Sequence, residues 1–302
     1  MPATPFPPAR FETARPSDLA LIRALYGLTE GFFGRGYRFA MRRVASRLAG
    51  KTATMVFEDG SRFAFPLDDA YWNRLAAAAF AYEPEIAWVL RKCAALDYTF
   101  IDAGANFGFW SVIASSRAFG SKRVLAIEAS AETFAVLQRN CAANGGRFET
   151  FKNAIFDKDD VDLSFSTGHH TARQLNGGTA GETVRTITLD TLASRAGVDL
   201  GKPVIVKLDV EGADAAALAG ATAILAHDAL VIYEEHGMDA THAMTRLMLG
   251  KLGLNAVYLD ESGHLHAISD VEQMGAHKRN PQKGYNLFAF RAGSVFEPGL
   301  KV

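Results

Sequence analysis

Cysteine is nearly absent: Cys93 and Cys141 are the two in 302 residues, far apart and without metal-motif spacing. That excludes a disulfide-stapled scaffold and a cysteine-built metal site, so both thiols are expected to pack as small apolar groups in a reducing compartment. No apolar run approaches the roughly eighteen residues that span a bilayer. The opening stretch, Met1 to Asp18, carries prolines and charges instead of a secretion signal, and a cytoplasmic protein is expected. An excess of one charge is also missing. With 32 Lys+Arg against 33 Asp+Glu the net charge is −1, which argues against a polyanion-binding surface over the whole molecule and against a nucleic-acid partner. Internal repeats and long low-complexity tracts are lacking too.

What is present, at 49% hydrophobic residues, suffices for one large core with a smaller appendage. A short apolar run, Tyr98 to Ile101, leads into Asp102-Ala-Gly-Ala-Asn-Phe-Gly108, and Trp110 to Ser115 reads as the first turns of a helix. A strand ending in an acid and opening into a glycine turn is a nucleotide-site layout. Gly104 and Gly108 can take backbone angles closed to other residues and let a ligand lie against the main chain. A second apolar run, Val124 to Ile127, ends in Glu128. In a parallel βαβ unit that carboxylate lies beside the first strand's end, placed to accept hydrogen bonds from two ribose hydroxyls. The spacing is not the dinucleotide fingerprint GxGxxG, because Asn106 holds the second glycine place and the third comes one residue early.

Pro203 to Leu208 is an apolar strand broken only by Lys207 and followed by Asp209-Val-Glu-Gly212. Alternation predicts Lys207, Asp209 and Glu211 on one side of the strand's end. Isolated buried charges are costly, so such a cluster is either mutually paired or holds a ligand. DxGANxG resembles motif I of class I S-adenosylmethionine methyltransferases. Followed by Thr188-Leu-Asp-Thr-Leu192 and by KxDVEG, it resembles the FkbM-type family of those enzymes. Tyr82-Glu-Pro-Glu85, Glu128, Gly220-Ala221 and Tyr233-Glu-Glu235 match in order, and the resemblance covers roughly residues 80 to 290.

The resemblance implies an α/β, Rossmann-like class I methyltransferase fold: a mostly parallel seven-stranded sheet with helices on both faces, plus an N-terminal helical arm and a β-hairpin. It implies S-adenosylmethionine as cofactor and S-adenosylhomocysteine as product. The cofactor residues it points to are Glu83, Asp102, Gly104, Ala105, Asn106, Gly108, Phe109, Glu128, Ala129 and Asp209, with Asn153 and Ala154 by position after the third strand. Glu83 and Glu85 also read as first-turn acids favoured by a helix dipole. Asp209 with Glu234 or Glu235 lacks a third clear metal ligand, so no metal site is expected.

Three segments follow: an arm over 1–50, a hairpin and entry helix over 51–97, and a cofactor-binding domain over 98–302. Ser17 and Asp18 can cap a helix with Leu21, Leu25, Leu28 and Phe32 on one face. A second helix carries Ala40, Val44 and Leu48 on one face and Arg35, Arg38, Arg42, Arg43 and Arg47 elsewhere, with no acid between Gly31 and Gly50. That basic surface is either a solvated face or a contact for anionic lipid or a lipid-linked glycan, peripheral to the inner face of a membrane. The apolar face of the first helix suits a homodimer as well as an intrachain contact. Thr54 to Phe57 and Arg62 to Phe65, joined through Asp59-Gly60, read as a hairpin. Phe148 to Ala154 reads as the third core strand. Val161 to Ser166 and Thr183 to Ile187 read as strands around a polar loop, Thr167 to Gly181, in which His169 and His170 are candidate substrate contacts. His264 and His266 alternate on a turn or strand edge.

The candidate catalytic residues are Lys207, Asp209, Glu211, Glu235 and His236, all assigned to strand ends on the cofactor side. His236 titrates nearest neutrality and is the candidate base, with Asp209 orienting substrate or base. The expected activity is O-methyl transfer to a hydroxyl of a sugar, glycan or secondary metabolite. A non-catalytic glycan-assembly module and a dinucleotide-dependent oxidoreductase are the alternatives.

Overall fold

The structure, a computed structural model, describes residues 9–300 apart from 14, 30–34, 78–81, 166–181 and 211. Strand β1 (Ala9–Thr13) precedes helices α1 (Pro16–Thr29) and α2 (Arg35–Leu48), then the hairpin β2 (Thr52–Phe57) and β3 (Arg62–Pro66). A 3₁₀ turn, Trp72–Ala76, leads to α3 (Pro84–Lys92). The central layer begins with β4 (Thr99–Ala103), α4 (Phe109–Ala114), β5 (Arg123–Ile127), α5 (Ala131–Ala143) and β6 (Glu149–Phe151). A side sheet of β7 (Ala154–Ile155), β8 (Asp162–Phe165) and β9 (Glu182–Ile187) interrupts it. Then come α6 (Leu189–Arg195), β10 (Val204–Leu208), α7 (Asp214–Ala219), α8 (Thr222–Ala226) and β11 (Ala229–His236). The chain closes with α9 (Ala243–Arg246) and its π turn, β12 (Asn255–Leu259), β13 (Leu265–Ala267), α10 (Gln273–His277), β14 (Gly284–Phe290) and α11 (Glu297–Leu300).

The large sheet runs β13-β12-β14-β11-β10-β4-β5-β6. Neighbours from β6 to β11 pair parallel, and β14 inserts antiparallel between β11 and β12. This is the Rossmann-like class I methyltransferase sheet, with an eighth strand, β13, added where seven were expected. Alternation divides the strands between two cores. Phe100, Ile205, Leu230 and Ile232 pack against α3, α4, the hairpin and the arm. Ile101, Val204, Val206, Leu208 and Val231 pack against α6 to α8 on the other face. Among the described residues no helix is long and apolar enough to cross a membrane, and both cysteines are free, Cys93 inside the first core.

Several local expectations shift. In α1 the buried side chains are Leu19 and Ile22, while Leu28 is 76% exposed. Asp18 lies buried within the first turn of this helix and pairs with Lys51, 3.0 Å away. In α2 the buried face is Tyr37, Met41 and Leu48. The hairpin gains β1 as a third strand. The expected third core strand breaks in two, because Ala154 and Ile155 leave the main sheet to pair with β9. Phe32, His169 and His170 lie outside the described residues. The Thr188-Leu-Asp-Thr-Leu192 match is a capping device: Thr188 Oγ1 accepts from Thr191 N at 3.0 Å, and Asp190 accepts from the backbone N–H groups of Ala223 and Ile224 that open α8.

Candidate active site

The register that builds the sheet also gathers its charges. Lys207 lies opposite Asp102 on β4 and opposite Ile232 on β11. Two residues beyond Ile232 and on the same face comes Glu234, then His236. Lys207 is buried, with Nζ 3.0 Å from Asp209 Oδ2. Burial opposes its charge, but Asp209, Glu83 and Asp102 outweigh that and hold its pKa above an ordinary lysine's.

Asp102 is 1% exposed. Its Oδ2 accepts from Ser111 Oγ at 2.6 Å, and its Oδ1 is buried without a hydrogen-bond partner among the described residues. Burial raises its pKa, and Lys207 only partly offsets this. Glu83 sits at the entry to α3 in the left-handed region, φ 42°, and its Oε2 accepts from Trp110 Nε1 at 2.6 Å. The residue keeps some exposed surface, yet its carboxylate is enclosed by protein, and that burial pushes its pKa up to about 7 against the pull of Lys207. Three carboxylates surround one ammonium, Lys207 and Asp209 reaching the cleft lining with Glu83 and Asp102 buried beside them, which makes this region rich in acceptors and suited to a cation.

The glycine turn is shaped differently from a phosphate cradle. Gly104 N and Ala105 N both donate to Ile127 O, and Gly108 N donates to Ala105 O. Asn106 N donates to Glu128 Oε2 at 3.0 Å, and Phe107 N to Asn106 Oδ1 at 2.8 Å. Five successive amides are thus already engaged, which leaves no row of free N–H groups for a pyrophosphate. Asn106 adopts φ 52°, tolerable for asparagine, and its Oδ1 also accepts from Trp72 Nε1 at 3.0 Å. A glycine in its place would lose that tie.

Gly104, Ala105, Asn106, Phe109, Lys207, Asp209 and His236 line one cleft together with Tyr71, Trp72, Tyr82, Trp110 and Glu234. Tyr71 Oη donates to Tyr82 Oη at 3.1 Å, and Trp110 stacks on Tyr82. The side chain of His236 is 70% exposed at the rim, Nδ1 3.4 Å from Glu234 Oε1. Glu128 lies behind the glycine turn, its second oxygen accepting from Ser130 N at 2.8 Å. Gly108 begins α4 against Leu137.

Other sequence candidates fall elsewhere. Ala129 packs with Ala154 and Val184 outside the cleft lining, and Asn153 Nδ2 donates to Arg185 O at 3.1 Å. Glu211 is outside the described residues. Glu235 lies apart from the cleft lining: one residue from Glu234, it takes the opposite face, where it accepts from Thr245 N at 2.7 Å and pairs with buried Lys278 at 3.1 Å. Sequence reading missed the wall formed by Tyr71 and Trp72. The available signal was an aromatic pair just beyond the hairpin, with no motif to connect it to Asn106. His264 and His266 both face Asp260, His266 Nε2 at 2.8 Å. Among the described residues no group of three or more His, Cys, Asp or Glu side chains is able to hold a metal ion.

In comparisons with known proteins, the methyltransferase FkbM domain matches residues 102–259. No curated protein matches the sequence. Among solved structures, the methyltransferase FkbM of Methylobacillus flagellatus KT is 15% identical, over 83% of this chain and 58% of that one, with a TM-score of 0.39. The precorrin-6y C5,15-methyltransferase of Geobacter metallireducens is 11% identical, over 72% and 93%, at 0.36. P. horikoshii TYW2, solved in complex with MeSAdo, is 15% identical, over 78% and 70%, at 0.39.

Proposed function

The chain belongs to the FkbM methyltransferase family, and from that premise we propose that it is an S-adenosylmethionine-dependent O-methyltransferase for a hydroxyl of a sugar, glycan or secondary metabolite. The observation that carries the cofactor assignment is the acceptor-rich floor around Lys207, with Asp102 Oδ1 buried and unpartnered among the described residues. A buried acceptor left unmade costs free energy, and a ligand ammonium group satisfies it. When bound, S-adenosylmethionine supplies a methyl group on a positively charged sulfur, so the protein does not have to create an electrophile.

Asp102 and Glu83 hold the ligand's ammonium, and Glu128, whose two oxygens also accept from Asn106 N and Ser130 N, meets the ribose hydroxyls. The wall of Tyr71, Trp72, Tyr82 and Trp110 shields these charges from water, which strengthens every electrostatic contact inside. Lys207 keeps Asp209 in place, and Asp209 accepts a hydrogen bond from the acceptor hydroxyl, orienting it. His236 removes the hydroxyl proton as the oxygen attacks, with Glu234 Oε1 3.4 Å from its Nδ1. An alkyl hydroxyl is a weak acid, and a placed base is worth about 10²- to 10⁴-fold.

The engaged amides of the glycine turn weigh against the oxidoreductase alternative. The deciding experiment is calorimetry with S-adenosylhomocysteine, using NAD as control ligand. Wild type should bind in the micromolar range, and Asp102→Ala and Glu128→Ala should lose that binding. No binding by wild type, or a preference for NAD, overturns the assignment. Binding without transfer to any hydroxyl acceptor would favour the non-catalytic module.

A further inference from the structure

The basic arm helix α2 is built in two halves. Tyr37, Met41 and Leu48 are sunk into the core, whereas Arg38, Phe39, Arg42, Arg43 and Arg47 face solvent. At 100° per residue, Phe39 falls near the middle of the exposed face, between Arg42 and Arg43, with Arg38 and Arg47 at the flanks. Phe39 is 59% exposed, and the Arg43 guanidinium lies 3.7 Å from its ring centroid.

Several surface cations elsewhere find acids. Arg62 pairs with Glu12, Arg123 with Glu149, Arg246 with Glu272 and Lys202 with Asp97. Arg38, Arg42, Arg43 and Arg47 have no acidic partner among the described residues. In a chain with 33 acids for 32 Lys+Arg, an unneutralised patch on one helix face is a local field and not a reflection of net charge. Leu28 near the end of α1 is 76% exposed as well.

We propose that the outer face of α2 docks on an anionic phospholipid surface, its arginines meeting headgroup phosphates while Phe39 enters the headgroup boundary. An amphipathic basic helix carrying an aromatic side chain on its exposed face fits this role, and the arginine stems reach past the ring to keep their charges at the interface. A convex helix face offers no groove for a nucleic-acid strand, and an exposed leucine gains nothing from phosphate. The same helix fastens the cleft wall: Tyr37 Oη donates to Asn73 Oδ1 at 2.5 Å, within the 3₁₀ turn that carries Trp72. Docking therefore engages the half of the molecule that frames the proposed acceptor entrance, and it stands whether or not the methyl-transfer reading does.

The test is cosedimentation of the full chain with vesicles of phosphatidylcholine alone and of phosphatidylcholine mixed with phosphatidylserine. Wild type should pellet with the mixed vesicles only, and less as salt is raised. Each arginine among the four changed to glutamine should lower the partition about fivefold. Phe39→Ser should weaken binding to a degree that persists at high salt. Melting temperature and circular dichroism show whether each variant is folded. Failure of wild type to pellet with anionic vesicles overturns the proposal whatever the variants do. So does undiminished binding by a folded Arg42→Gln, Arg43→Gln protein, or capture of wild type by single-stranded RNA in preference to the mixed vesicles.

Discussion

An enclosed carboxylate with a pKa of about 7 holds a proton that the same residue in an unfolded chain, at 4.5, has released. The stability Glu83 contributes through this proton is fully present below the unfolded value and is lost as pH rises through about 7. Glu83→Gln keeps the shape and removes the titration. Its melting temperature relative to wild type should rise between about pH 5 and about pH 8, and a constant difference would show that Glu83 does not titrate there. Ligand binding runs the other way, since only the ionised carboxylate attracts an ammonium. S-adenosylhomocysteine should bind wild type more tightly above pH 7 than below it, with a flatter profile in Glu83→Gln. His236 is tested by rate: His236→Ala should lower kcat by at least about 10²-fold with cofactor affinity kept. Transfer at the wild-type rate would remove it from the base role.

At the scale of elements, two contacts fix the strand ends. Gly104 has φ +82°, and a Cβ there would stand 1.8 Å from Asp209 O, so β4 and β10 approach through a gap only glycine leaves. Gly104→Ala should cost more than about 2 kcal/mol in urea unfolding and abolish cofactor binding. On the opposite face, buried Lys278 and Glu235 tie β11 to the segment before β14, with Lys278 Nζ also donating to His236 O at 2.9 Å. Lys278→Met takes the ammonium from a buried carboxylate that keeps only Thr245 N and the more distant His242 beside it, and should cost about 3–5 kcal/mol. A loss below 1 kcal/mol would mean that water reaches the pair. The Asp190 cap shows that a family-like motif can serve folding: it joins the start of α6 to the start of α8 and stands clear of the cleft lining.

For the whole molecule, one apolar cluster runs from Leu19 and Tyr37 through Phe63 and Trp72 to Phe100, Ile232 and Phe288. The arm, hairpin and central sheet share it, so they should melt together. Tryptophan fluorescence and far-ultraviolet circular dichroism should report coincident transitions, because Trp72 and Trp110 line the cleft within this shared core. An early fluorescence transition would show the arm and hairpin to be a separate unit.

Short-range periodicity and glycine's backbone freedom made individual strands, the glycine turn and the placing of Lys207 and Asp209 on one side of a strand's end legible in the sequence, while the order of the sheet came from the family resemblance and the Lys207–Asp209 pair from the fold. Strand alternation also suffices to separate Glu235 from Glu234 and His236 once the register of β11 is known, but a run of polar residues at a strand's end hides which parity faces the ligand. Packing set that register, the turn of α1 that buries Ile22 and exposes Leu28, and the meeting of Trp72 with Asn106, separated by 34 residues. Such contacts depend on how whole elements pack, and no local pattern encodes them.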